Sequence, residues 1–318
     1  MKGSMNEILN ALRAAGEATR IRLLFILSHG EFNVTELTRI LDQSQPRISR
    51  HLKLMTEAGL LERYKEGSWV LFRAHEEGAA GRLAREIPRL LSPDDDVLAR
   101  DAEKLRAILD ERAGKAARYF AGVAADWDKI RSLHVSEARV EEAMREMAGE
   151  GPWRFMLDAG TGTGRLLEIF APYAGHAVGV DSSREMLAVA RARLEAAGLK
   201  HAQARAGDVY DLPFEDGQAD FVTMHQVLHF LDDPGAALAE ISRVMAPGGR
   251  LLVADFAPHE LEFLREEHAH RRLGIAREAM NRWLRKAGLR EARHVYLEPP
   301  AGRGAQGLTV SLWLAEKG

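Results

Sequence analysis

Apolar positions recur every three to four residues over 7–14, 19–27 and 35–41, the repeat of helices that bury one face. A fourth run, 45–58, is a sharper helix: Ser44 is placed to cap it, Pro46 suits its first turn, and Gly59 suits a left-handed ending. The period then drops to two. Residues 61–65 and 69–73 read as short strands joined through Glu66 and Gly67, a small hairpin. Another helix is predicted over 78–91. Ser92-Pro93-Asp94-Asp95-Asp96 interrupts the pattern, and its acids favour the start of a connecting helix over 97–117. From Trp153 onward short apolar strands alternate with helices, the pattern of a parallel sheet covered by helices.

Length and composition narrow the picture. A chain of 318 residues, 46% hydrophobic and 29% charged, is globular and long enough for about two domains. No apolar run approaches the roughly 18 residues of a membrane span, and the opening Met1-Lys2-Gly3-Ser4 lacks the apolar stretch of a signal peptide. A cytoplasmic protein with no membrane association is the expectation. The chain has no cysteine, which excludes disulfides, thiolate metal sites and cysteine nucleophiles. Its net charge of −3 divides unevenly: residues 1–75 carry +3 and the remainder −6. A mildly basic first segment suits a polyanion.

In the 45–58 helix, Ile48 and Leu52 lie one turn apart and can anchor an inner face. Ser44, Gln45, Arg47, Ser49, Arg50 and Lys53 are left to face outward, as a helix entering a DNA major groove requires. Arg63, Lys65 and Ser68 of the hairpin suit phosphates. Glu17-Ala18-Thr19-Arg20-Ile21-Arg22-Leu23-Leu24, the run from Ser44 to Lys53, and Ala58-Gly59-Leu60-Leu61 resemble the ArsR family of winged helix-turn-helix regulators. The resemblance implies a homodimer that binds double-stranded operator DNA. The paired cysteines of the metal-sensing members would fall near Asn33 and Thr35, so no metal site is expected.

In the second half, the strand Phe155-Met156-Leu157-Asp158-Ala159 runs into Gly160-Thr161-Gly162-Thr163-Gly164 and then a helix over 165–170. A dinucleotide-binding loop of the form G-x-G-x-x-G would place its third glycine at Arg165, so the spacing argues against a pyrophosphate cradle. The next strand ends in Asp181, an acid placed to accept both hydroxyls of a ribose. Together with Ala206-Gly207-Asp208-Val209, the segment 220–229 and Ala246-Pro247-Gly248-Gly249, these motifs resemble the class I S-adenosylmethionine (SAM)-dependent methyltransferases, with a Rossmann-like, seven-stranded, mostly parallel sheet. The resemblance implies SAM, or its product S-adenosylhomocysteine (SAH), as ligand. It implies binding through Tyr119, Asp158, Gly160, Thr161, Gly162, Gly164, Asp181, Ser182, Met186, Gly207, Asp208, Val209, His225 and Gln226, with Asp208 and Val209 at the adenine. Tyr119, Phe120 and Trp127 resemble a lid.

The organisation expected is a winged helix-turn-helix over 1–76, dimerisation and connector helices over 77–116, and a SAM-binding domain over 117–318. His225, His229 and His259 are candidate general bases, with Gln226, Glu260, His268 and His270 nearby on the acceptor side. Two readings stay open. One is a regulator whose SAM or SAH occupancy modulates operator binding. The other is a working methyltransferase of a small molecule, with a fused module that regulates its own synthesis.

Overall fold

Ser4 starts the first helix by accepting from Glu7 N at 3.2 Å, and α1 runs Met5–Ala15. Glu17 caps α2 (Ala18–Leu27) through Arg20 N. A reciprocal pair fixes the start of α3 (Val34–Leu41): Asn33 Oδ1 accepts from Glu36 N at 2.9 Å, and Glu36 Oε2 accepts from Asn33 N at 3.0 Å. Asn33, one of the two positions where a thiolate would be needed for soft-metal sensing, is thus committed to capping. Helix α4 (Gln45–Glu57) begins with Pro46 in its first turn and ends at Gly59 with φ of 71°. Ser44 holds the capping position, but its hydroxyl makes no capping hydrogen bond.

The computed structural model describes residues 3–66, 69–75, 78–92, 94–124, 137–149, 151–299 and 308–318, and the chain divides into two units, Met1–Gly114 and Lys115–Gly318. In the first, β2 (Leu61–Glu66) and β3 (Trp69–Ala74) form the hairpin, and β1 (Phe32–Asn33) adds a third antiparallel strand against β3. At two residues, β1 is too short to leave a periodic signal. Leu23, Leu24, Ile26, Leu37, Ile40, Ile48, Leu52 and Met55 form the core beneath the helices. Helix α5 (Gly78–Arg89) follows. Asp95 Oδ1 then accepts from Val97 N and Leu98 N to start α6 (Asp96–Val123), which is longer than the periodicity predicts. Buried Asp101 on α6 holds Arg22 of α2 through two hydrogen bonds of 2.6 Å.

The second unit contains α7 (Glu137–Ala148) and a seven-stranded sheet in the order β6-β5-β4-β7-β8-β10-β9. The strands are β4 (Trp153–Ala159), β5 (Ala174–Asp181), β6 (Ala202–Ala206), β7 (Ala219–His225), β8 (Met245–Phe256), β9 (Leu289–Leu297) and β10 (Val310–Lys317). The first five are mutually parallel; β10 lies between β8 and β9, antiparallel to both. Helices α8 (Arg165–Phe170), α9 (Arg184–Ala196), α10 (Pro234–Val244), α11 (Phe263–Glu267) and α12 (Arg277–Lys286) complete the unit. Alternation along the strands splits the core by face. Met156 and Phe221 belong to one cluster, and Phe155, Leu157 and Val222 to the other; Trp153, at the start of β4, joins the first by stacking on Phe221 at 4.0 Å. Connections run outward from β4 to β5 and β6 and then return to β7. The chain's direction across the sheet therefore reverses between β4 and β7, and ligands of open α/β sheets bind at the strand ends beside such a reversal.

Candidate functional site

In the first unit, α4 presents two faces. Ile48, Leu52 and Met55 are buried, while Ser44, Gln45, Arg47, Ser49, Arg50 and Lys53 are all exposed. Among the described residues Arg47 and Arg50 form no ion pair, which leaves both guanidiniums for an external partner. Arg63 and Lys65 on the hairpin are exposed as well; Ser68 lies outside the described residues. Arg73 is bound internally, to Glu62 at 2.8 Å and Glu31 at 3.2 Å, over the ring of Tyr64. His51, which the sequence reading passed over, turns inward from α4 to Arg20 at 3.5 Å and Glu17 at 3.8 Å. Burial lowers its pKa, and Arg20, Arg47 and Arg50 act in the same direction against Glu17.

In the second unit, the glycine loop is held by its own amides. Gly160 N and Thr161 N both donate to Val180 O, at 2.8 and 2.9 Å, and Gly164 N donates to Thr161 O at 2.8 Å. Gly162 N donates to Asp181 Oδ2 at 2.8 Å, and Ser183 N donates to Asp181 Oδ1 at 2.8 Å. Gly160 and Gly164 have φ of 74° and 80°. A Cβ on Gly160 would overlap Val227, and one on Gly164 would come within 3.0 Å of Ala190, so neither position tolerates a side chain. With these four amides spent inside the chain, the loop is a poor phosphate cradle. Recognition falls instead to side chains such as Asp181, whose carboxylate oxygens have lone pairs left for hydroxyls. Burial raises the Asp181 pKa, and the amides of Ser183, Gly162 and Ser182 oppose that shift. Thr161 Oγ1 is buried with no hydrogen-bond partner among the described residues. This set of groups, with a carboxylate acceptor and no loop amide of these four to spare, fits a nucleoside with a free ribose, such as SAM or SAH, and does not require a phosphate.

The other expected residues gather at the same ends of the strands. Asp158 is buried and accepts from Thr223 Oγ1 at 2.7 Å, an alcohol the sequence reading did not single out. Gly207 N donates to Asp181 O at 3.1 Å, Asp208 is exposed and accepts from Tyr210 N at 2.9 Å, and Val209 is buried. Ser182 is exposed, and Met186 is buried in the first turn of α9. His225 ends β7, and Gln226 follows it in a left-handed turn with φ of 55°, its amide on Ala254 O at 2.7 Å. Tyr119 Oη meets His268 Nδ1 at 2.7 Å, and burial pushes the tyrosine pKa up to about 12. Phe120 packs edge-on to Phe230 at 4.8 Å. Trp127 lies outside the described residues.

The three candidate histidines differ in their surroundings. His225 is buried at a strand end. His259 Nδ1 accepts from Leu261 N at 3.2 Å. His229, in the 3-10 turn Leu228–Phe230, is 1% exposed and joins its Nδ1 to Oδ1 of wholly buried Asp255 at 2.7 Å. Asp255 escaped the sequence reading; its signal was a lone carboxylate closing the apolar run Leu251-Leu252-Val253-Ala254. His268 and His270 lie just beyond α11. No group of three or more histidine, aspartate and glutamate side chains is placed to hold a metal ion among the described residues, and no helix there is long and apolar enough to cross a membrane.

Comparison with known proteins matches a segment of each unit to a family. Residues 17–63 match the bacterial regulatory protein ArsR family, and residues 157–253 match a methyltransferase domain. The chain is 38% identical over 114 residues to an uncharacterized 37.1 kDa transposon protein of Streptomyces fradiae, covering 36% of this chain and 32% of that one. It is 30% identical over 167 residues to demethylmenaquinone methyltransferase of Clavibacter sepedonicus (51% of this chain, 66% of that one) and 38% identical over 144 residues to that of Thermus thermophilus (44% and 64%). The chain thus spans between about a third and two thirds of these curated relatives. Among solved structures, the complex of the Haloferax volcanii Trm112 methyltransferase activator with a methyltransferase aligns with a TM-score of 0.51 and 24% identity, over 62% of this chain and 96% of that one. That likeness establishes the fold.

Proposed function

We propose, for a chain that joins an ArsR-family helix-turn-helix to a class I methyltransferase domain, that it is a transcription regulator whose operator binding responds to SAM or SAH. The observation that carries this reading is the presence in one chain of two recognition surfaces of different chemistry. One is a helix with six exposed polar and basic side chains; the other is a glycine loop whose amides are already spent and whose strand-end carboxylate is left for ribose hydroxyls. The reading assigns the ribose to Asp181, the adenine to Asp208 and Val209, and the rest of the ligand to the loop and to the 225–226 turn. When bound, SAM would supply an activated methyl group.

Such regulators read paired half-sites as dimers. Helix α1 supports a second copy of this chain as partner: Met5 is 76% exposed, and Ile8, Leu9 and Leu12 extend an exposed apolar stripe along the same helix. The direct test uses the full-length protein and an operator selected from random duplexes, with DNA affinity measured by anisotropy against SAM and SAH separately. Couplings between sites are typically 1–3 kcal/mol, or about 5–150-fold, and a shift in that range is expected for at least one ligand. Equal affinity with neither, SAM or SAH bound would remove the regulatory reading.

A second reading is favoured by the buried His229–Asp255 pair and by relatives named as methyltransferases: the same domain transfers the methyl group to a small acceptor, and the helix-turn-helix regulates synthesis of the enzyme. SAH released from SAM by the purified protein tests it.

A further inference from the structure

We infer that Asp255 positions His229 as a general base with Nε2 as the proton-accepting atom, and that the acceptor is therefore a group that must shed a proton on methylation: a hydroxyl, an amine or an acidic carbon. This rests on the methyltransferase reading above and names its substrate class.

The hydrogen bonds separate His229 from His259. Asp255 Oδ1 takes a hydrogen bond from Phe256 N at 2.7 Å, and Oδ2 takes one from His229 N at 3.3 Å. A buried carboxylate held this way is an acceptor, so the 2.7 Å contact to His229 Nδ1 is an Nδ1–H donor. The neutral ring then carries its lone pair on Nε2, which has no hydrogen bond among the described residues. His259 has the reverse arrangement: its Nδ1 accepts from Leu261 N, so its neutral ring is protonated at Nε2 and is a donor there.

The His229 ring is also locked in place. His229 O accepts from Arg271 N at 2.9 Å and Arg272 N at 3.0 Å, and the ring packs against Phe230 at 4.1 Å, Phe256 at 5.1 Å and His270 at 4.1 Å. The segment touches the cofactor site directly, since Val227, two residues before His229, is the side chain packed against Gly160 of the glycine loop.

In the step itself, the acceptor X–H gives its proton to His229 Nε2 while the X electron pair forms the bond to the methyl carbon. The carbon–sulfur pair stays on sulfur, leaving the thioether SAH. The imidazolium that results neutralises Asp255, which has no lysine or arginine partner among the described residues. Among the described residues, the other titrating or charged groups on the segments packed against His229 include His270, Arg272, whose amide bonds His229 O, and the Arg271–Asp232 pair, whose contact is 2.8 Å.

The test uses full-length protein in two measurements. In the first, 15N spectra of the histidine side chains at neutral pH should show His229 as the Nδ1–H tautomer. Asp255→Asn, which can put an amide donor where the acceptor was, should switch it. In the second, SAH release from SAM is followed with three probes, 1,4-naphthoquinol, catechol and octylamine, across pH. His229→Gln should slow release by roughly 10²–10⁴-fold with SAM affinity unchanged by calorimetry, and Asp255→Asn should lose most of the rate and the rising limb of the pH profile. An Nε2–H tautomer in the wild type, or a His229→Gln rate within about tenfold of wild type, overturns the inference alone. SAM binding with no SAH from any probe overturns the methyltransferase reading and the base together.

Discussion

At the residue scale, a few side chains separate specific from general recognition. Arg47 and Arg50 stand near the start of α4 with no ion pair among the described residues, where an arginine can pair bidentately with a guanine. Each change to alanine should cost about 1–3 kcal/mol of operator affinity and relax base preference, whereas Lys65→Ala should weaken all duplexes alike and lower the salt slope by about one. Anisotropy titrations at several salt concentrations decide it; unchanged affinity and preference in Arg47→Ala/Arg50→Ala would discard this mode of reading. Asp181 has two tasks. Besides the ribose contact proposed for it, Asp181 anchors Gly162 N and Ser183 N, so Asp181→Ala would loosen the loop as well as leave those hydroxyls unpaired. A loss of about 1–3 kcal/mol, or tenfold and more, is expected for both SAM and SAH, and unchanged calorimetric affinities would refute the assignment. His51 gives a pH signature. Burial lowers its folded pKa, so the unfolded chain binds the proton more readily and stability falls as pH drops below the unfolded value of about 6.5. Thermal unfolding of wild type and His51→Gln at pH 7.5 and 5.5 checks this. The variant should lose less on acidification, and equal losses would show that His51 plays no part.

At the element scale, α6 is tied to the first unit by a buried pair. Removing Asp101 leaves the Arg22 guanidinium without its two 2.6 Å acceptors, so Asp101→Ala should cost about 3 kcal/mol in chemical denaturation, and a change under about 1 kcal/mol would mean that packing alone holds the helix. The elements that sequence made legible were those with a strong local signal. Helix α4 has proline at its start, glycine past its end and Ile48 and Leu52 one turn apart; β4 is an apolar run feeding a glycine loop. What stayed hidden depends on contacts distant in sequence. The strand β1 has only two residues and is defined by its pairing with β3. Asp255 and His229 lie 26 residues apart and acquire meaning only when β8 and the turn after β7 meet. The capping by Asn33 and Glu36 was legible in principle, since the two stand three residues apart before an apolar run.

At the scale of the whole molecule, the proposal makes a reciprocal demand. If SAM or SAH changes operator affinity by some factor, operator DNA must change affinity for that ligand by the same factor. Calorimetry of each ligand with and without saturating operator should return the number found by anisotropy, and a mismatch beyond error would mean that the two assays do not report one equilibrium. The order of strands in the larger sheet has a consequence of a different kind, in how the chain is made. Because β10 lies between β8 and β9, β9 has no neighbour to pair with until β10 has been synthesised. The first unit, with its short-range helical contacts, can fold while the rest is still emerging. The larger sheet keeps the free edge of β8 exposed until the last strand arrives. A ribosome stalled before residue 310 would therefore hold a folded helix-turn-helix unit and a sheet open along one side, the species on which chaperones would be expected to act.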